Sequence, residues 1–207
     1  MKKEFIFTFA LCLTLLLSCN QAISKKEIDD GEIKNNLYTN NTIGWSMEIP
    51  ENWEIENKEK LKKIAKKGLE ATQEVADHKV DISNSKRLIT FKKNRYNIFL
   101  SVVEPIGNRT KKGWIENNAR SKKLGFKTLE NQGLKIDTSE TKSEKIDGID
   151  FLYYKLTMFD KKDSLVFTQI TYNGLINGYD FGAIISSNNE LYKTEMLKSW
   201  KNSKFSN

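Results

Sequence analysis

"NIFLSVVE", residues 97–104, decides the fold. Successive side chains of an extended chain point to opposite faces. Ile98, Leu100 and Val102 therefore share one face, and Phe99 and Val103 the other. "IDFLYYKLTMF", residues 149–159, repeats the pattern, with Phe151 and Tyr153 set against Leu152, Tyr154, Leu156 and Met158. A sheet that is apolar on both faces must be covered on both faces. The rest of the chain has to supply two covering layers.

Working outward, hairpin strands are expected at 134–145, 149–159, 165–173 and 179–186. The turns between them are Asp147-Gly148, 160–163 and 173–178; the first and last carry the Asn, Asp and Gly residues that tight hairpins favour. Upstream, 45–49 alternates Trp45, Met47 and Ile49 with Ser46 and Glu48, the period of a half-buried strand. It follows a short strand at 37–39. Strands at 88–93 and 97–104 flank the turn "KNRYN". Helical spacing of Leu61, Ile64, Ala65, Gly68, Thr72 and Val75 predicts a helix over 58–75. A second helix is expected over 111–124, carrying Trp114, Ile115 and Ala119, with Gly125 interrupting it. The last begins at the capping box formed by Ser187 and Glu190 and presents Met196 and Trp200. The order is ββ-α-ββ-α-ββββ-α. Sequential hairpins make the sheet antiparallel. The expected fold class is α+β, an α/β/α sandwich around a twisted antiparallel sheet.

"IGWSMEIPENW", residues 43–53, resembles the first hairpin of the PsbP/Mog1-like fold, in which an aromatic strand runs into "IPxxW" ahead of the first helix. The order of elements from Leu37 to Trp200 resembles that fold as well. The resemblance implies a single domain over 37–202, with a tail at 203–207. It implies no catalytic residue, because the fold hosts photosystem accessory proteins, nuclear-transport factors and bacterial lipoproteins.

The N-terminus speaks to location. Residues 5–17 carry no charge and follow a short charged start. As a helix they span about 20 Å, short of a hydrocarbon core of about 30 Å. That length and the basic start fit the apolar region of a secretion signal. The run ends Leu16-Leu17-Ser18-Cys19, which resembles the lipobox of bacterial lipoproteins. The resemblance implies a signal peptide over 1–18, a diacylglyceryl thioether on Cys19, and acylation, as by palmitate, of the amine freed by cleavage. Two or more acyl chains anchor stably, so the lipid bilayer is the first expected partner. A polar segment then runs from Cys19 to residue 36 and reads as a flexible tether. Its acidic residues, Glu27, Asp29, Asp30 and Glu32, resemble a surface-export address. Asn20 departs from the aspartate of an inner-membrane retention signal. The expected location is the bacterial cell envelope, at the outer membrane or cell surface.

The chain has a formal net charge of +7, yet only four of its basic residues are arginines: Arg87, Arg95, Arg109 and Arg120. Bidentate phosphate and base contacts favour arginine, and the lysines alternate with glutamates. The reading is a solvated basic surface and no nucleic-acid partner. After cleavage Cys19 is the sole cysteine, so no disulfide forms and the domain rests on an ordinary core.

No motif for chemistry stands out. His78 is the only histidine. With Asp77 and Asp81 it makes an incomplete metal set, since such sites need three or four convergent ligands. No P-loop, dinucleotide fingerprint or nucleophile elbow is present. Dispersed carboxylates leave a hydrolase as the weakest alternative. Trp45 and Trp200 fall on apolar stripes and read as core. Trp53 and Trp114 lie near element ends and form the candidate ligand surface, should both line one cleft. The lysines of the first helix, Lys58 to Lys67, read as its solvated face. The expected function is a membrane-anchored, non-enzymatic lipoprotein that binds or scaffolds an unknown envelope protein, with no cofactor. A small-ligand or metal-binding accessory protein is the alternative.

Overall fold

The computed structural model describes residues 28–206. The expected signal peptide, the expected lipidation site at Cys19 and the part of the expected tether up to residue 27 lie outside the described residues. The elements are β1 (Glu32–Lys34), β2 (Leu37–Asn40), β3 (Trp45–Glu48), β4 (Glu54–Ile55), α1 (Lys58–Gln73), β5 (Lys86–Lys92), β6 (Ile98–Pro105), α2 (Lys111–Asn131), β7 (Lys135–Thr138), β8 (Lys142–Ile146), β9 (Ile149–Phe159), β10 (Leu165–Ile176), β11 (Tyr179–Ser187), α3 (Glu190–Lys201) and β12 (Lys204–Phe205).

A large sheet runs β4-β5-β6-β11-β10-β9-β7, with β8 also paired to β9. A small one runs β1-β2-β3-β12. Both are antiparallel, as the run of hairpins requires. The hairpin turns use positive φ at Asp147-Gly148 and Asn177-Gly178, the geometry that matches strand twist.

The alternation in β6 and β9 separates two cores. On one face Phe99, Phe151 and Phe181 pack with Trp45 and Trp200. Trp200 of α3 sits 5.1 Å from Phe151 and 5.4 Å from Tyr172 by ring centroids. On the other face Leu100, Leu156, Met158 and Ile184 pack with Leu129 of α2. Both faces are covered, as the sequence demands, but not by helices alone. The first face is closed by α3 together with the small sheet, which corrects the expected α/β/α sandwich. The second lies under α2, against which α1 packs.

Five further expectations need correction. The tether does not extend to residue 36, because Ile28 is buried and β1 pairs with β2. Asp29 locks this segment: its carboxylate accepts from the Thr42 N–H (2.8 Å), the Thr42 hydroxyl (2.9 Å), the Gly31 N–H (2.7 Å) and the Asn40 amide (2.6 Å). Residues 203–206 are no free tail, since β12 pairs with β3 and Ser203 is buried. The second helix runs through Gly125, which is buried on its inner side. The third helix is capped by Asn189, whose side chain accepts from Tyr192 N–H, while the Ser187 hydroxyl donates to Asn97 at 2.5 Å. The strand expected over 134–145 is two strands, β7 and β8, both laid along β9.

Candidate functional site

β5 carries the site. Its register with β6 slips between Arg87, opposite Val102, and Thr90, opposite Leu100, so β5 holds one extra residue there. The Ser101 hydroxyl fills the bulge. It accepts from Ile89 N–H at 3.2 Å and donates to the Ile89 carbonyl at 3.3 Å. On the outer side, β4 pairs only with Phe91 and Lys92, and Glu56 N–H adds one bond to the Thr90 carbonyl at 2.9 Å. Asn57 then caps α1 and turns the chain away. Among the described residues no strand flanks Lys86–Ile89 on that side.

A groove of about 440 Å³ opens along this edge. Its walls are Leu61 and Ala65 of α1, Ile33 and Tyr38 of the small sheet, and Ile55. Ile33 and Ile55 are 43 % and 47 % exposed. The floor is Ser85 and the first residues of β5, every one from Lys86 to Thr90. Most charges here are paired. Lys86 meets Asp30 at 2.8 Å and donates to the Ile28 carbonyl, and Lys92 pairs with Glu56 and Glu54. Arg87 is different. Its Nη1 is buried and donates no hydrogen bond among the described residues. The Thr90 hydroxyl, 4 % exposed, is likewise unpartnered. A buried donor without an acceptor costs about 1–3 kcal/mol, more when charged, so an acceptor arriving in the groove would be bound strongly.

Behind Ser85 lies a buried acidic pair. The Ser85 hydroxyl donates to Glu104 Oε2 at 3.2 Å. Glu104 on β6 faces Asp180 on β11, and Arg109 Nη2 donates to Glu104 Oε1 at 2.6 Å. Burial raises the Glu104 carboxyl above its ordinary range despite Arg109 and Ser85. Burial pushes Asp180 to about 7, opposed by the Trp114 indole, which faces it without closing a hydrogen bond, while the Glu104 charge adds to the rise. Both carboxylates are sealed from solvent at 1 % and 0 % exposure. The arrangement stores proton affinity inside the fold and gives a substrate no approach in this conformation.

The sequence candidates fare unevenly. Trp53 and Trp114 do not line one cleft. Trp53 is buried in the first core, edge-on to Phe91 and Tyr192, and its indole donates to Glu195 at 2.8 Å. Trp114 belongs to α2, on the opposite face of the large sheet, and is buried on that helix's inner side. His78 and Asp77 are exposed neighbours 2.6 Å apart, and Asp81 accepts from Ser83 N–H. The described residues contain no cluster of three metal-ligating side chains. On α1, Lys60 and Lys62 pair with Glu56 and Glu59, and Lys63, Lys66 and Lys67 are exposed. Cys19 lies outside the described residues. Sequence reasoning missed the groove. Its one available signal was Arg87, a scarce arginine at the start of an apolar strand in a lysine-rich chain.

No family model matches the chain, and no curated protein does. Among solved structures it is similar to the solution structure of cyanobacterial PsbP (CyanoP) from Synechocystis sp. PCC 6803, with a TM-score of 0.55 and 10 % identity over 92 % of this chain and 99 % of that one. At that identity the likeness concerns the fold, which is PsbP-like.

Proposed function

We propose that this is a non-enzymatic accessory lipoprotein, held in the bacterial envelope through acylated Cys19, that grips another envelope component in the groove along β5. One observation carries the reading: the buried Nη1 of Arg87 makes no hydrogen bond among the described residues, in a largely apolar groove rimmed by exposed Ile33 and Ile55. Exposed apolar rims around a polar anchor mark binding surfaces. The PsbP-like fold supports an accessory role, and the lipobox supports the anchor. A small ligand is the second reading, favoured by the groove's volume, which falls in the usual range for such sites.

Photo-cross-linking in native cells tests the first reading. A photoreactive residue at Ile55 should give a discrete adduct in the envelope fraction. The same residue at Leu191, exposed on α3, should not. Equal labelling at both, or none at Ile55, would remove the groove as the binding face. Separately, Cys19→Ala should move the protein to the soluble fraction or leave it unprocessed.

A further inference from the structure

We infer that β5 is completed in trans: an extended segment of a partner protein, alternating apolar and acidic residues, adds to its outer edge at Lys86–Ile89, continuing the line that β4 begins. The inference rests on the accessory reading above and names the partner's chemistry.

The lining of the groove points to an edge. A strand that shows only one face to a cavity contributes alternate residues. Here six consecutive residues, Ser85 to Thr90, line the space. The groove therefore runs beside the strand, along its hydrogen-bonding edge. β4 occupies that edge for two residues and then leaves it. An unpaired edge in a groove is a template for an added strand. The bulge limits the template, because Ile89 commits its N–H and carbonyl to Ser101. The added ladder is then short, and side chains must supply the selectivity.

Those side chains differ on the two sides of the new strand. Arg87 and Thr90 lie opposite Val102 and Leu100, so they face the α1 side. Both carry unpartnered buried polar atoms. Ile55 lies opposite Phe91, so it faces the small sheet, as Leu88 and Ile89 do in packing with the first core. The added strand would place an acidic side chain toward Arg87 and apolar ones toward Ile33 and Ile55. Strand alternation delivers that pattern from one extended segment.

The test uses full-length protein in detergent and an acetylated heptapeptide alternating valine and glutamate. Amide hydrogen exchange should slow at 86–88, where the ladder forms. A valine–lysine peptide should bind about tenfold more weakly, as the loss of one charge-assisted hydrogen bond implies. Arg87→Gln should narrow that difference to about threefold or less, and Arg87→Lys should keep part of it, with unchanged thermal melting showing that both variants fold. N-methylation of the peptide backbone should abolish binding. If the N-methylated peptide binds as well as its parent, or protection appears only on another strand, strand addition is wrong. Slowed exchange with decanoate, and none with the peptides, would assign the groove to an amphiphilic anion instead. A cross-link at Ile55 combined with peptide failure would overturn the strand addition while leaving the accessory reading standing. Peptide binding without a cellular cross-link would show an edge able to pair with a strand but would overturn the partner protein that the accessory reading supplies.

Discussion

Asp180 and Glu104 face each other across the β11–β6 ladder, both buried, and Arg109 reaches both, 2.6 Å from Glu104 and 3.8 Å from Asp180. One cation serves two carboxylates that are shut off from the protein surface. The pair relieves its repulsion by holding a proton.

That makes stability fall as pH rises. Burial raises Asp180 to about 7 in the folded chain, while the unfolded chain titrates near the ordinary value of 3.8. Between those values the folded state keeps a proton that the unfolded state has released. The contribution is favourable at the acid end and is lost as pH rises through the window, at up to about 1.4 kcal/mol per pH unit. Glu104 is raised as well and adds in the same sense. Asp180→Asn should therefore gain stability relative to wild type on going from pH 4.5 to 7.5, measured by urea unfolding. An equal offset at both pH values would show that Asp180 ionises normally.

Asp29 should behave in the opposite way. Burial alone would raise its carboxyl, but hydrogen bonds from Thr42, Gly31 and Asn41 bring it below the ordinary range. A lowered folded pKa gives stability that is present above the ordinary carboxylate value and lost as pH falls through the folded one. Asp29→Asn keeps the shape but removes the charge that four donors address. It should cost about 1–3 kcal/mol at pH 7, with the deficit shrinking as pH falls below the ordinary carboxylate range. Limited proteolysis should then cut near Ile28, whose docking Asp29 secures.

How much of this was legible depended on how each element is held. β6 and β9 could be read because their apolar residues fill both faces at period two. The hairpin turns could be read because Asp147-Gly148 and Asn177-Gly178 supply the positive φ that they need. α2 could be read only in part. Its inward stripe is Trp114, Asn117, Asn118, Ser121, Gly125, Thr128 and Leu129, polar over much of its length, and the sheet likewise buries Gln169, Thr171 and Asn173. A helix that buries asparagine and serine shows no apolar periodicity, so Gly125 read as a break. β1 and β12 are two or three residues long, and β4 is two. β12 is held by Asp147 and β3, and β4 by β5, all far away in sequence, while β1 depends on the Asp29 contacts as well as on neighbouring β2, and no local apolar pattern reports these. The groove depends on where β4 stops relative to β5, a tertiary fact.

Gly174 marks a close approach that tolerates no side chain. It sits in β10 opposite Phe151 on β9. A Cβ there would stand 2.5 Å from Phe151 Cε1, and that ring is fully buried beside Phe181 and Trp200. The ring has nowhere to move without displacing Trp200. Gly174→Ala should cost about 1–3 kcal/mol and should alter near-UV circular dichroism, which reports the packing of these rings. Unchanged stability would mean that the aromatic cluster repacks freely.

Phe205 tests whether the chain's last described residues belong to the core. Its ring lies 5.6 Å from Phe151, 6.3 Å from Phe181 and 6.2 Å from Trp200. Asp147 holds the backbone there, accepting from Phe205 N–H at 2.8 Å and from Lys204 at 3.1 Å. Ser206 N–H adds a bond to the Gly44 carbonyl at 2.7 Å. β12 thus ties the edge of the small sheet to the Asp147-Gly148 turn of the large one, closing the first core from the side. Removing a fully buried phenylalanine costs about 3–5 kcal/mol. Phe205 is only partly buried, so Phe205→Ala should cost about 1–3 kcal/mol. Asp147→Ala, which frees the same strand without touching the rings, should cost less and should speed amide exchange at Phe205 and Ser206. If Phe205→Ala left the urea midpoint unchanged while Asp147→Ala lowered it, backbone docking rather than the aromatic contact would hold β12 in place.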